Sequence, residues 1–185
     1  MSDSSIPVLT LTSNSNAPAP RLALPGRLQI HLAPQRHFFA EVMAQALRLA
    51  GQGQRVLVVQ FLKGGIGQGP DAPMRLVEHL DWVRCNLARC IDTPDIDTSE
   101  AEALQTLWQV AQDAVRAKQY NLIVLDELGL AIHLDLIPLV EVFALLQNRP
   151  AGVDLILTGT DMPTPILDLA DQVTQMRRVG PETVA

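Results

Sequence analysis

Positive charge, cysteine and long apolar runs are all scarce in this chain. Its 185 residues carry 14 Lys plus Arg against 20 Asp plus Glu, a net charge of −6. No basic excess is therefore on hand to neutralise the phosphates of a nucleic acid, and nucleic-acid binding is not expected. The two cysteines, Cys85 and Cys90, cannot build a disulfide framework, and they lack the paired spacing of a structural zinc site. They read as reduced thiols of a cytoplasmic protein. No uninterrupted apolar run approaches the roughly 18 residues of a membrane span. The N-terminus has neither the basic start nor the apolar stretch of a secretory signal, so membrane and export are both set aside. What is present suits a folded domain. Apolar residues make up 48% and charged residues 18% of the chain, and the length falls within the roughly 100–200 residues of one domain.

Three regions differ in texture. Residues 1–25 are rich in Ser, Asn, Ala and Pro and are expected to form a disordered tail. Residues 26–180 alternate short apolar runs with segments whose apolar residues recur every three or four positions, as in an α/β domain. Residues 181–185 are a short end. Strands are expected at Leu28–Leu32, Val56–Phe61, Trp82–Cys85, Leu122–Asp126, Leu155–Thr158 and Val173–Met176, several of them continuous in Val, Ile and Leu as in a parallel sheet covered on both faces. One helix carries Phe38, Phe39, Val42, Met43, Ala46, Leu47 and Ala50 on a single face and ends at Gly51 and Gly53. A second is expected from Ser99, with Glu102 completing a capping box. A third is expected from Asp135, with Pro138 in its first turn, up to Asn148-Arg149-Pro150.

In open α/β sheets, ligands bind beyond the carboxyl ends of the strands, so the residues there carry the chemistry. Asp126 and Glu127 end the run Asn-Leu-Ile-Val-Leu, where carboxylates can hold a hydrated Mg²⁺ or cap the next helix. Lys63, after Val59-Gln60-Phe61-Leu62 and before Gly64-Gly65, could meet a phosphate, or the glycines could simply turn the chain. Thr158 opens the polar cluster Thr158-Gly159-Thr160-Asp161. The segment after the first strand, Ala33-Pro34-Gln35-Arg36-His37-Phe38-Phe39-Ala40, stands where a phosphate loop belongs. Such a loop needs glycines, a lysine and a Ser or Thr, and this one has none. Arg36 and His37 could attract an anion without forming a cradle. His31, His79 and His133 have no partner at a metal-binding spacing and read as ordinary histidines.

Several of these stretches together resemble the ATP:corrinoid adenosyltransferases: Gly26–Ile30, the run Leu49–Gly64 with its Val-Val-Gln-Phe-Leu-Lys-Gly, Tyr120–Leu128, and Asn148–Asp171. The resemblance implies a P-loop NTPase-like fold, usually a homodimer, in which Co(I) of a corrinoid attacks the 5′ carbon of ATP. It places Asp126 or Glu127 at the Mg²⁺ and Lys63 near the nucleotide, while Arg36 and Thr158 are nucleotide-binding candidates from their place at the strand ends. Three departures accompany it. The phosphate loop is replaced throughout Ala33–Ala40, the aromatic residues that shape the lower corrinoid face fall at Arg89 and Ile91, and the basic tail gives way to an end at Ala185. The expectation is a family homologue with eroded ATP and corrinoid sites, serving as a non-catalytic binding or regulatory protein. The alternatives are an active adenosyltransferase with a non-standard nucleotide site, or a subunit paired with an intact paralogue.

Overall fold

The computed structural model describes residues 26–36 and 39–177. The expected N-terminal tail, the last residues and two residues of the loop after the first strand, His37 and Phe38, lie outside them. The chain order is β1 (Leu28–Leu32), α1 (Ala40–Gly51), β2 (Val56–Gly64), β3 (Met74–Val77), β4 (Leu80–Cys85), α2 (Thr98–Ala117), β5 (Leu122–Asp126), α3 (Leu128–His133), α4 (Leu139–Gln147), β6 (Asp154–Gly159), α5 (Thr164–Leu167) and β7 (Gln172–Gln175). The strands make one seven-stranded sheet in the order β3-β4-β2-β5-β6-β1-β7. Every neighbouring pair is parallel except the β3–β4 hairpin.

Helices cover both faces, which is why the central strands are apolar on both sides. On one face α1 lays Val42, Met43, Ala46 and Ala50 over Val56, Val58, Leu122 and Val124. On the other, α2 and α4 pack Leu104, Leu107, Trp108 and Leu146 against Leu57, Val59 and Phe61. Trp108 is fully buried edge-on to Phe61 and donates its indole N–H to Glu141. Each such large side chain withdrawn from water contributes about 1.5–3 kcal/mol.

Several boundaries differ from expectation for identifiable reasons. The capping box of α2 uses Asp97 and Glu100, not Ser99 and Glu102. Arg89 clamps both oxygens of Glu100, with Nη2 2.7 Å from Oε2, and this favours the earlier start. The third helix begins at Leu139 with Pro138 as its N-cap. The residue before a proline is pushed out of the helical region, so the helix cannot extend back to Asp135, which adopts φ 56° in the preceding turn. Helix α3 and strand β3 were not foreseen.

Candidate functional site

Strands β4, β2, β5, β6 and β1 lie side by side, and the register aligns a polar residue from each at one level. Gln60 pairs with Arg84 on one side and with Asp126 on the other, and His31 pairs with Thr158. Such a row inside apolar strands must satisfy itself by hydrogen bonds. Gln60 is fully buried; its Oε1 accepts from Trp82 Nε1 (2.8 Å) and Arg84 Nε (2.7 Å), and its Nε2 donates to Asp126 Oδ2 (2.6 Å). Arg84 also stacks over the Trp82 ring, 5.2 Å from its centre. On the far side Thr158 Oγ1 donates to Asp126 Oδ1 (2.6 Å) and accepts the backbone N–H of Glu127 (2.9 Å).

Glu127 follows β5 in the left-handed conformation, φ 63°, uncommon for a residue with a side chain and a mark of a constrained turn. The constraint comes from Thr158 and from close backbone packing beyond it. A Cβ on Gly129 would lie 2.1 Å from the Asp161 carbonyl oxygen, so only glycine lets α3 start against the end of β6. The Glu127 side chain is thereby turned toward the loop after β1, where it meets Arg36. The guanidinium grips both carboxylate oxygens, Nη2 lying 2.8 Å from Oε2. It also donates to the carbonyls of Ile91 and Leu62, each at 2.9 Å. The bond to Glu127 raises the Arg36 pKa still further. Lys63 Nζ lies 3.1 Å from Asp126 Oδ2 and 3.9 Å from Glu127 Oε1.

All five residues singled out at the strand ends, Arg36, Lys63, Asp126, Glu127 and Thr158, thus converge in one network. Gln60, Trp82 and Arg84 belong to it as well, and the sequence signal for them was an amide inside an otherwise apolar strand. The glycine after Lys63 serves the fold: a Cβ on Gly64 would sit 2.2 Å from the Arg89 carbonyl oxygen, so β2 closes directly on the following loop. Arg89 holds α2, and Ile91 is buried in the core. His79 and His133 stay apart from this network, and His31, level with Thr158, leaves its Nε2 buried without a hydrogen-bond partner among the described residues. Cys85 is buried, donates to the Phe61 carbonyl and has its pKa pushed up to about 12 by desolvation, whereas Cys90 is exposed. Between Arg36, Phe39, Glu127, Gly159 and Thr160 remains a cavity of about 10 Å³, at the lower limit of what one water needs.

Residues 40–181 match the family model of the ATP:corrinoid adenosyltransferases BtuR/CobO/CobP. The chain belongs to this family. A corrinoid adenosyltransferase of Pseudomonas aeruginosa is 30% identical over 155 residues, 83% of this chain and 76% of that protein. One from Escherichia coli K12 is 33% identical over 136 residues, 72% of this chain and 67% of that protein. An uncharacterised protein of Nostoc is 32% identical over 129 residues, 66% of this chain but 34% of the longer relative. The α/β sheet is the P-loop NTPase-like architecture that membership implies. Among the described residues no helix is long and apolar enough to cross a membrane.

Family membership raises the question of Mg²⁺ and triphosphate, and the geometry answers for the carboxylates. Asp126 Oδ1 is engaged by Thr158, Oδ2 by Gln60 and Lys63, and both Glu127 oxygens by Arg36. Two cations already face two carboxylates. Among the described residues no group of three or more His, Cys, Asp or Glu side chains is gathered for a metal. As arranged, this site does not fit a divalent ion.

Proposed function

We propose that this chain is a non-catalytic member of the corrinoid adenosyltransferase family, a binding or regulatory protein that keeps the sheet and has lost the nucleotide site. One observation carries the reading: every oxygen of Asp126 and Glu127 is held by donors of the chain itself. Transfer from ATP depends on positioned positive charge and amide groups that neutralise the departing triphosphate. The loop from Ala33 to Ala40 has no glycine, lysine, serine or threonine, so it offers no amide cradle and no Mg²⁺-binding hydroxyl. Arg36, its cation with a described position, is committed to Glu127. At the positions where the family carries aromatics against the corrinoid, Arg89 and Ile91 serve the cap of α2 and the core.

On this reading the protein acts in the cytoplasm as a homodimer or as a heteromer with a paralogue whose phosphate loop is intact. Any corrinoid is bound without ATP. Titration calorimetry of the purified chain with Mg-ATP, with and without a corrinoid, tests it. No saturable heat from nucleotide is expected. Micromolar affinity, about −8 kcal/mol, would defeat the reading.

A second reading, adenosyl transfer through a rearranged site, is favoured by one feature. The side chains of Arg36 and Lys63 are 28% and 20% exposed, so both cations can be reached from solvent. The same titration decides between the two.

A further inference from the structure

We infer that Arg36 is a resident cation, occupying with its guanidinium the place of a divalent metal, and that its removal uncovers a cation site. The inference rests on the reading of the nucleotide site above and deepens it. Glu127 is only 2% exposed, and a carboxylate at that depth requires a charged or strongly donating partner. Arg36 supplies it as a planar bidentate pair.

The same guanidinium takes the carbonyl oxygens of Leu62 and Ile91. Four oxygens from three separate segments therefore converge on one cation: two from Glu127 at the end of β5, one from β2 and one from the loop after β4. Carboxylate and backbone carbonyl oxygens are the ligands that hard divalent ions select. Neither carbonyl depends on Arg36 for its position, nor does the backbone that carries the Glu127 carboxylate. Thr158 fixes the backbone of Glu127, the Leu62 carbonyl also accepts the Ile91 N–H at 2.8 Å, and Ile91 is itself buried in the core. The two carbonyls and the Glu127 backbone are held by the fold, and Arg36 reaches the four oxygens from the loop after β1. With Arg36 shortened, Lys63 alone among the described cations faces both Asp126 and Glu127, so the two carboxylates keep a net negative charge, and a divalent ion with its own waters is the natural replacement.

The experiment measures Mn²⁺ binding by electron paramagnetic resonance in the wild-type chain, in Arg36→Ala and in Arg36→Met, which keeps much of the apolar stem. The expected result is affinity at least about tenfold higher in the variants than in wild type. A melting temperature that Mn²⁺ raises in the variants alone should accompany it. Adding Glu127→Gln to Arg36→Met should abolish the gain. Equal Mn²⁺ affinity in wild type and Arg36→Met, or binding that survives Glu127→Gln, would overturn the inference. A variant that folds only when Mn²⁺ is supplied supports it, and one that stays unfolded in millimolar Mn²⁺ counts against it. Binding of Mg-ATP by the wild-type chain would defeat the functional reading above without deciding this comparison, which uses Mn²⁺ alone.

Discussion

Gln60 donates to Asp126 across neighbouring strands at 2.6 Å, with both side chains buried. Because the other end of the same amide accepts from Trp82 and Arg84, one residue joins the polar groups of three strands. Replacing it with leucine strands an indole N–H, a guanidinium N–H and one of the bonds to Asp126. Gln60→Leu is expected to lose about 2–4 kcal/mol of stability, read from the urea midpoint. A loss below about 0.5 kcal/mol would show that the row is not coupled as its geometry implies.

Asp126→Ala separates a structural role from a nucleotide role. Truncation leaves Lys63, Gln60 and Thr158 facing an empty position, and breaking a buried charged pair costs about 3 kcal/mol or more. Stability should fall by that order in urea unfolding while calorimetry with Mg-ATP remains unchanged. A large drop in a measurable nucleotide affinity would contradict the account.

His31 ends the polar row on β1, and its Nε2 is buried with no hydrogen-bond partner among the described residues. Burial lowers its pKa below 6.5, partly opposed by the charge of Glu41. The unfolded chain therefore binds a proton more readily than the folded one, so His31 costs stability as pH falls below 6.5, until its folded-state pKa is also passed. His31→Leu should flatten the fall in urea midpoint between about pH 6.5 and 5. An unchanged slope would show that His31 does not titrate differently on folding.

Glu100 acts in the same sense as His31 but from the opposite cause, because folding stabilises its charged form instead of penalising it. The Arg89 guanidinium, and then the Asp97 N–H, hold its carboxyl below the ordinary 4.5. Its contribution is thus complete above pH 4.5 and is lost as pH falls through the lowered value. Glu100→Gln should be less stable than wild type at pH 7, and the difference should shrink on acidification. A gap that stays constant from pH 7 to acid would refute the assignment.

The legibility of the fold followed burial. Strands β2, β5 and β6 announced themselves as apolar runs because both faces of the sheet are covered, and β1 by the alternation of Leu28, Ile30 and Leu32. Strand β3 did not, since Met74–Val77 is four residues long, exposed throughout and paired only with β4. Helix α3 was hidden by its six residues and by the left-handed Glu127 that starts it. Asp97-x-x-Glu100 and Ser99-x-x-Glu102 both satisfy the capping-box pattern, and only the tertiary contact from Arg89 separates them. Arg36, Lys63, Asp126, Glu127 and Thr158 could be named because each lies at or beyond a strand end. That Arg36 would reach Glu127 could not be read, because β1 and β5 are separated by β6 and no local pattern encodes that distance. Gln60 carries no motif at all, and its role comes from the register.

The central claim is that the chain does not transfer adenosyl from ATP. Incubation of the purified wild-type protein with Mg-ATP and a corrinoid reduced to Co(I), followed by the absorbance change of cobalt–carbon bond formation, tests it most directly. The account predicts a rate indistinguishable from that of the protein-free mixture, and repeated turnover by the isolated chain would contradict it.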